Sequence, residues 1–168
     1  SKRAAPHVRF KLEIYRSIRY LVVTRVSQRC WLGSDPNGRL DWMNVLVTGA
    51  GGFVAPHVAN AFRDAGEIVR TTDVRPVEAD SGSITVDFTD AEQTYRLMDG
   101  IDVVCHLGGL GDVYLALDHP EEAALANVVG TANLLNAAKS SGVSKFIYTS
   151  TWEVYGEPEY QPLDEEHH

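Results

Sequence analysis

Three glycines sit in the loop Thr48-Gly49-Ala50-Gly51-Gly52-Phe53-Val54-Ala55, between a strand-like run, Asn44-Val45-Leu46-Val47-Thr48, and a helix-like one. Glycines there let the chain turn tightly and bring backbone amides against a diphosphate, and the helix N-terminus adds N–H donors. Gly49 permits the turn and Gly52 removes a Cβ where the backbone approaches. Gly49, Gly52, Phe53 and Val54 are therefore the expected diphosphate contacts. The helix dipole contributes only ~0.3–1 kcal/mol, so the aligned donors matter more. No Gly-Lys-Ser/Thr ending follows, which argues against a mononucleotide P-loop. Asp73 lies 24 residues after Gly49, near the spacing of ~20 at which a carboxylate accepts from ribose hydroxyls. It repels a 2′-phosphate and so favours NAD over NADP, a preference that Arg75, two residues on, softens. A plain turn carboxylate is the competing reading of Asp73.

These residues need a scaffold of strands alternating with helices. The segment 44–48 is short and rich in β-branched residues. Residues 53–65 read as a helix closed by Gly66, 68–72 as a second strand ending at Asp73, and 83–86 as a third. Residues 90–98 read as a helix, 102–107 as a fourth strand, 120–139 as a long helix and 145–150 as a fifth strand. Asp112, Tyr114, Asp118 and His119 fall in a loop before the long helix, facing substrate or solvent. Near-continuous apolar strands between helices call for an α/β fold with a parallel sheet covered on both faces. Ligands of such sheets bind beyond the carboxyl ends of the strands, at the switch point.

Composition and charge bound the rest. The 168 residues carry 15 Lys and Arg against 23 Asp and Glu, a net charge of −8. An acidic balance argues against nucleic-acid binding, which needs clustered cations. No apolar run approaches the ~20 residues of a membrane span. The two cysteines, Cys30 and Cys105, make neither a disulfide framework nor a metal site, and suggest a reducing, cytoplasmic setting. Residues 1–42 hold nine basic and three acidic residues, a net of +6, which leaves −14 for the remainder. The break falls in the turn formers Gly33-Ser34-Asp35-Pro36-Asn37-Gly38, just before Met43. Three readings of this extension stay open: non-native sequence ahead of a start at Met43, a targeting segment, or a basic arm. Period-two alternation from Val8 to Ile14 counts against an amphipathic targeting helix.

From Met43 onward the chain resembles the N-terminal half of an extended short-chain dehydrogenase/reductase, of the NAD-dependent epimerase/dehydratase family acting on nucleotide sugars. Five motifs carry the resemblance in order. The glycine loop resembles TGxxGxxG, with Ala55 at the third glycine, a departure expected to loosen helix–strand packing slightly. Asp73 matches the ribose-binding acid, and Asp87-Phe88 the acidic and apolar pair at the adenine. His106-Leu107-Gly108-Gly109 resembles His-Leu-Ala-Ala, whose backbone lines the cofactor. Asn127-Val128-Val129-Gly130-Thr131-Ala132-Asn133-Leu134-Leu135 matches Asn-Val-x-Gly-Thr-x-Asn-Leu-Leu. The resemblance implies a Rossmann-type doubly wound sheet, truncated, with strand order 3-2-1-4-5. It also implies bound NAD, contacts from Leu107, Gly108, Gly109 and Asn127, a nucleotide-sugar substrate and a homodimeric parent. On the residues alone, His106 reads as a satisfied core histidine, Cys105 as an inert thiol, and Asn127 as a local helix bond.

Thr149-Ser150-Thr151-Trp152-Glu153-Val154-Tyr155-Gly156 resembles the family's Ser-Ser/Thr-x-x-Val-Tyr-Gly segment. By register Thr151 takes the place of the catalytic hydroxyl, which holds the substrate hydroxyl and shares its developing charge. Glu153 stands where dehydratases and decarboxylases of the family carry a Glu base. Trp152 replaces the acid or serine of those enzymes. The family's Tyr-x-x-x-Lys is missing, since no tyrosine has Lys four residues on. The expectation is thus a dinucleotide domain over 43–168, incomplete at its C-terminus, whose parent is an NAD-dependent epimerase or dehydratase and which by itself lacks turnover. Two alternatives are a non-catalytic dinucleotide-binding, redox-sensing module and an NADPH-dependent ketone or aldehyde reductase. No metal is expected.

Overall fold

The structure is a computed structural model that describes residues 42–164, 166 and 167. The basic extension therefore lies outside the described residues, apart from Trp42. Among the described residues five strands run in the order 3-2-1-4-5, all pairs parallel. They are β1 Asn44–Thr48, β2 Ile68–Asp73, β3 Ile84–Thr85, β4 Val103–His106 and β5 Lys145–Tyr148. Val45 aligns with Val69 on one side and Val103 on the other. The strand order reverses between β1 and β4, so the switch point lies at their carboxyl ends.

Period-two geometry sends alternate residues of a strand to opposite faces. Val45 and Val47 meet Val58 and Phe62 of α1 (Ala55–Asp64) with Val103 and Cys105. Leu46 and Val104 meet Leu97, Met98, Leu134 and Ala138 on the other face. Those residues come from α2 (Ala91–Leu97), its C-cap Met98, and a later helix. Both faces are covered, which is why β1 reads as an unbroken apolar run. Asp90 caps α2 by accepting from Glu92 and Gln93. Ala55 is buried in the α1 core, so the methyl that replaces the third glycine packs there.

The strands and helices differ from the sequence reading mainly at their ends. α1 begins at Ala55, not Phe53; β3 keeps two residues; β5 stops at Tyr148. Two internal differences have physical causes. The supposed loop before the long helix contains α3 (Val113–Asp118), capped by the Asp112 carboxylate, which accepts from Leu115 at 3.0 Å. The long helix is three pieces: α4 (Pro120–Ala124), a π-helical stretch Leu125–Gly130, and α5 (Thr131–Ser140). A π-turn holds one extra residue per turn, and it aims side chains that regular helix would turn away.

The amino edge of β1 is closed by acids. The Met43 amide donates to Glu67 Oε2 at 2.7 Å, and the Asn44 amide to Asp102 Oδ2 at 2.7 Å. Beyond β2, Asp80 anchors the connection to β3 by accepting from Arg63 at 3.0 Å and from Thr71 at 2.9 Å. The Arg63 guanidinium beside it holds the Asp80 carboxyl below the usual range. Among the described residues no helix is long and apolar enough to cross a membrane.

Candidate dinucleotide site

The glycine loop leaves β1 at Thr48 and is shaped by its own backbone. Gly49 adopts φ +76°, a conformation that favours glycine. A Cβ on Gly49 would stand 2.9 Å from the backbone of Gly108, so the loops after β1 and β4 approach too closely there for a side chain. Three amides of the loop are engaged, two by β2 and one within the loop. Ala50 donates to Thr72 O at 3.1 Å, Gly52 to Gly49 O at 2.8 Å, and Gly51 to Asp73 Oδ2 at 2.9 Å. The role of Gly52 is thus conformational: a Cβ there would press on Gly49 O at 3.1 Å. The N-terminus of α1 follows at Val54, and no side chain caps it. Pro56 in that first turn costs little, since its missing N–H would have had no helical partner. The half-exposed Phe53 ring stands edge-on to His57, centroids 5.8 Å apart.

Asp73 ends β2 beside this loop. Its other oxygen, Oδ1, accepts from the Arg75 amide at 3.1 Å. Each oxygen still has acceptor capacity for a hydroxyl. Asp87 lies past β3, where Oδ1 accepts from the amide and hydroxyl of Thr89 at 2.9 and 2.8 Å. Phe88 is held by Asn133, whose Nδ2 donates to its carbonyl at 2.8 Å, and Gly130 packs against it closely enough that a Cβ would stand 3.2 Å away.

The β4 loop forms the other wall. Leu107 and Gly108 both donate to Thr48 Oγ1, at 3.1 and 2.9 Å. Asn127, within the π-helical stretch, uses both ends of its amide on one residue. Its Oδ1 accepts from Leu110 N at 2.8 Å and its Nδ2 donates to Leu110 O at 2.9 Å. A Cβ on Gly109 would stand 2.6 Å from Asn127 Oδ1, so that glycine is needed for the clasp. Asn127 reaches across 17 residues and not within its own helix, and its visible work is to hold the loop. His106 is buried, and desolvation pushes its imidazole down to about 4. Burial pushes the Cys105 thiol up to about 12, which keeps it a protonated, unreactive group.

Thr151 and Glu153 lie past β5, whose pairing with β4 continues as far as Thr149 N to His106 O at 3.1 Å. They therefore stand at the same carboxyl edge as the glycine loop. Thr151 caps a 3₁₀ turn, Trp152–Tyr155, accepting from Glu153 N at 3.3 Å. Both residues are exposed, and among the described residues their hydrogen bonds stay within this turn. The structure thus gathers Gly49, Gly52, Asp73, Leu107, Gly108, Gly109 and Asn127 at the end of β2 and on the connections after β1 and β4, while among the described residues the hydrogen bonds of Thr151 and Glu153 stay in their own turn. Sequence reasoning missed Thr48 and Thr131, whose hydroxyls hold the wall. The available signal was a hydroxyl just before a glycine loop. No group of three His, Cys, Asp or Glu among the described residues is placed to hold a metal ion.

The chain is similar to curated proteins of several activities. It is 33% identical over 115 residues to a 3β-hydroxysteroid dehydrogenase/Δ5→4-isomerase of Mycobacterium tuberculosis, covering 64% of this chain and 31% of that protein. It is 33% identical over 144 residues to the UDP-glucose 4-epimerase of Drosophila melanogaster, covering 73% of this chain and 41% of the relative. A solved short-chain dehydrogenase/reductase of Agrobacterium tumefaciens with bound NAD superposes with a TM-score of 0.65 at 33% identity, over 74% of this chain and 38% of that one. The chain thus spans between about a third and two fifths of the length of these proteins. The sequence model described as the NAD dependent epimerase/dehydratase family matches residues 45–168, and on that match the chain belongs to this family.

Proposed function

We propose that residues 43–168 are the NAD-binding domain of a longer, cytoplasmic, homodimeric enzyme that acts on the sugar of a nucleotide sugar, as an epimerase or dehydratase. The observation that carries the reading is the Gly51–Asp73 hydrogen bond between the loop after β1 and the end of β2, beside a helix N-terminus that no side chain caps. It sets a ribose acceptor and a diphosphate donor at a fixed distance, as a dinucleotide requires. The donor set fits the cofactor: glycines where a Cβ would clash, and a carboxylate with acceptor capacity to spare. The NAD in the Agrobacterium relative supports the same choice. NAD, when bound, supplies a reversible hydride acceptor.

Phe53 and Val54 would hold the diphosphate, Asp73 the ribose, Asp87 and Phe88 the adenine, and Leu107, Gly108 and Gly109 the inner wall. Asn127 would act on the cofactor through that wall. Thr151 keeps its own hydroxyl hydrogen while it accepts from Glu153 N, so it can donate to a substrate oxygen. Glu153 is an exposed carboxylate that can take a proton from an activated C–H of the sugar. The Tyr-x-x-x-Lys pair is not in the sequence, so the 168-residue chain should bind NAD without converting substrate. Titration calorimetry with NAD and NADP tests the binding: heat with NAD and little with NADP is expected, and no heat with either sinks the reading. Conversion of UDP-glucose by the 168-residue chain would refute its inactivity.

A second reading has one specific support, the mycobacterial steroid dehydrogenase relative. It makes the parent a net dehydrogenase of a secondary alcohol. Net reduction of added NAD by the full-length parent favours this reading; sugar conversion without net reduction favours the first.

A further inference from the structure

His106 joins two hydroxyls at the switch point. Its Nδ1 is 2.8 Å from Thr48 Oγ1 and its Nε2 is 3.0 Å from Thr131 Oγ1. A ring nitrogen can donate or accept, so these distances alone leave the tautomer open. The surroundings of Thr48 decide it. A hydroxyl has two lone pairs and one hydrogen. Thr48 Oγ1 accepts from Leu107 N and from Gly108 N, and both donors are backbone groups whose direction is fixed. Its two lone pairs are therefore in use, and its hydrogen has to point to Nδ1. Nδ1 is then the acceptor, the proton sits on Nε2, and Nε2 donates to Thr131 Oγ1. The other tautomer, and the imidazolium, would each bring a third donor to Thr48 and expel one of the two amides.

We infer that His106 is a positioning residue, held as the neutral Nε2–H tautomer between Thr48 and Thr131, which fixes the Leu107–Gly108 backbone against Gly49. The geometry shows why this site needs one. Gly49 and Gly108 stand so close that no Cβ fits between them, and they belong to loops from different strands. Packing alone does not set a distance between two glycines. The chain Gly108 amide, Thr48 hydroxyl, His106 ring, Thr131 hydroxyl sets it with directional bonds, and it reaches α5 at the first residue past the π-helical stretch. The ring is wedged among Phe88, Phe146 and Tyr148, centroids 5.6–6.1 Å away. Its depressed basicity agrees with a site built for the uncharged form.

The inference rests on the proposed function only for its purpose, and its test does not need the cofactor. An ¹⁵N-resolved imidazole spectrum of the 168-residue chain at neutral pH, without cofactor, should show protonated Nε2 and bare Nδ1 for His106. Amide exchange at Leu107 and Gly108 should be at least tenfold faster in Thr48→Val than in the wild type, and restored in Thr48→Ser. A protonated Nδ1, or Thr48→Val amides exchanging at the wild-type rate, overturns it. If Thr48→Val does not fold, Thr131→Val is read instead: the Nε2 hydrogen should exchange at least tenfold faster, and an unchanged rate overturns the inference. NAD titration of the same wild-type sample keeps the two claims apart. The predicted tautomer without NAD binding sinks the function alone; NAD binding with the wrong tautomer sinks the positioning role alone.

Discussion

Gly51 gives its amide hydrogen to Asp73 across 2.9 Å, while the second oxygen of Asp73 accepts from Arg75. One carboxylate thereby joins the turn after β1 to the connection after β2. Replacing it removes both the proposed ribose acceptor and the tie that holds the loop.

Asp73→Ala should weaken NAD binding about 10–100-fold, the equivalent of about 1.5–3 kcal/mol for a hydrogen bond to a charged group. The NAD-over-NADP preference should shrink as well, because the charge that repels a 2′-phosphate is gone and the exposed Arg75 remains. Calorimetric titration with both dinucleotides measures the two effects together. Unchanged NAD affinity would remove Asp73 from the site.

Gly49→Ala should destabilise the fold by about 2 kcal/mol or more, since a left-handed backbone costs an L-residue about 1–2 kcal/mol before any clash. Here the new methyl also meets Gly108 backbone at 2.9 Å. Urea unfolding measures the loss. A Gly108→Ala change presses on Thr48 Oγ1 at 3.1 Å and should disturb the same contact from the other wall.

Acid should weaken the protein through His106. Its imidazole is pushed down to about 4 in the folded chain from an ordinary 6.5. Between those values the unfolded chain binds the extra proton, so stability falls as pH drops from about 6.5 toward about 4. The gap corresponds to about 3 kcal/mol once both limits are passed. Carboxylates contribute in the same direction, so the measurement is a comparison. Urea midpoints of the wild type should fall more steeply over that window than those of His106→Asn.

Cys105 should resist alkylation in the native chain, because burial raises its thiol to about 12 and keeps the thiolate scarce. Iodoacetamide labelling followed by peptide mass spectrometry should find Cys105 unmodified at neutral pH and fully modified in urea. Native labelling at the rate of a small-molecule thiol would show that β4 opens.

Much of this was legible from residue types. The alternation of strands and helices and the glycine loop follow from apolar runs, glycines and Asp73, because sheet burial and backbone freedom write themselves locally, whereas the strand order came from the family resemblance. His106 read correctly as a satisfied core histidine. Its partners did not, since Thr48 and Thr131 lie 58 and 25 residues away and only the fold brings them together. The π-helical stretch was also invisible: Leu125-Ala126-Asn127-Val128-Val129-Gly130 mixes good and poor helix formers without a turn signal, and one extra residue per turn leaves no mark on a short apolar pattern. The clasp of Asn127 on Leu110 depends on that turn, so its target could not be read either. Helix α3 went unseen because its apolar residues face outward, with none buried.

At the far end of β1, Glu67 and Asp102 accept from the amides of Met43 and Asn44, where the strand begins. The two rims of the sheet are thus chemically opposite. One presents carboxylates that accept from the neighbouring backbone, the other a helix start that no side chain caps. The net negative charge of residues 43–168 repels a polyanion at long range, so the proposed diphosphate contact depends on short-range backbone donors at the carboxyl rim.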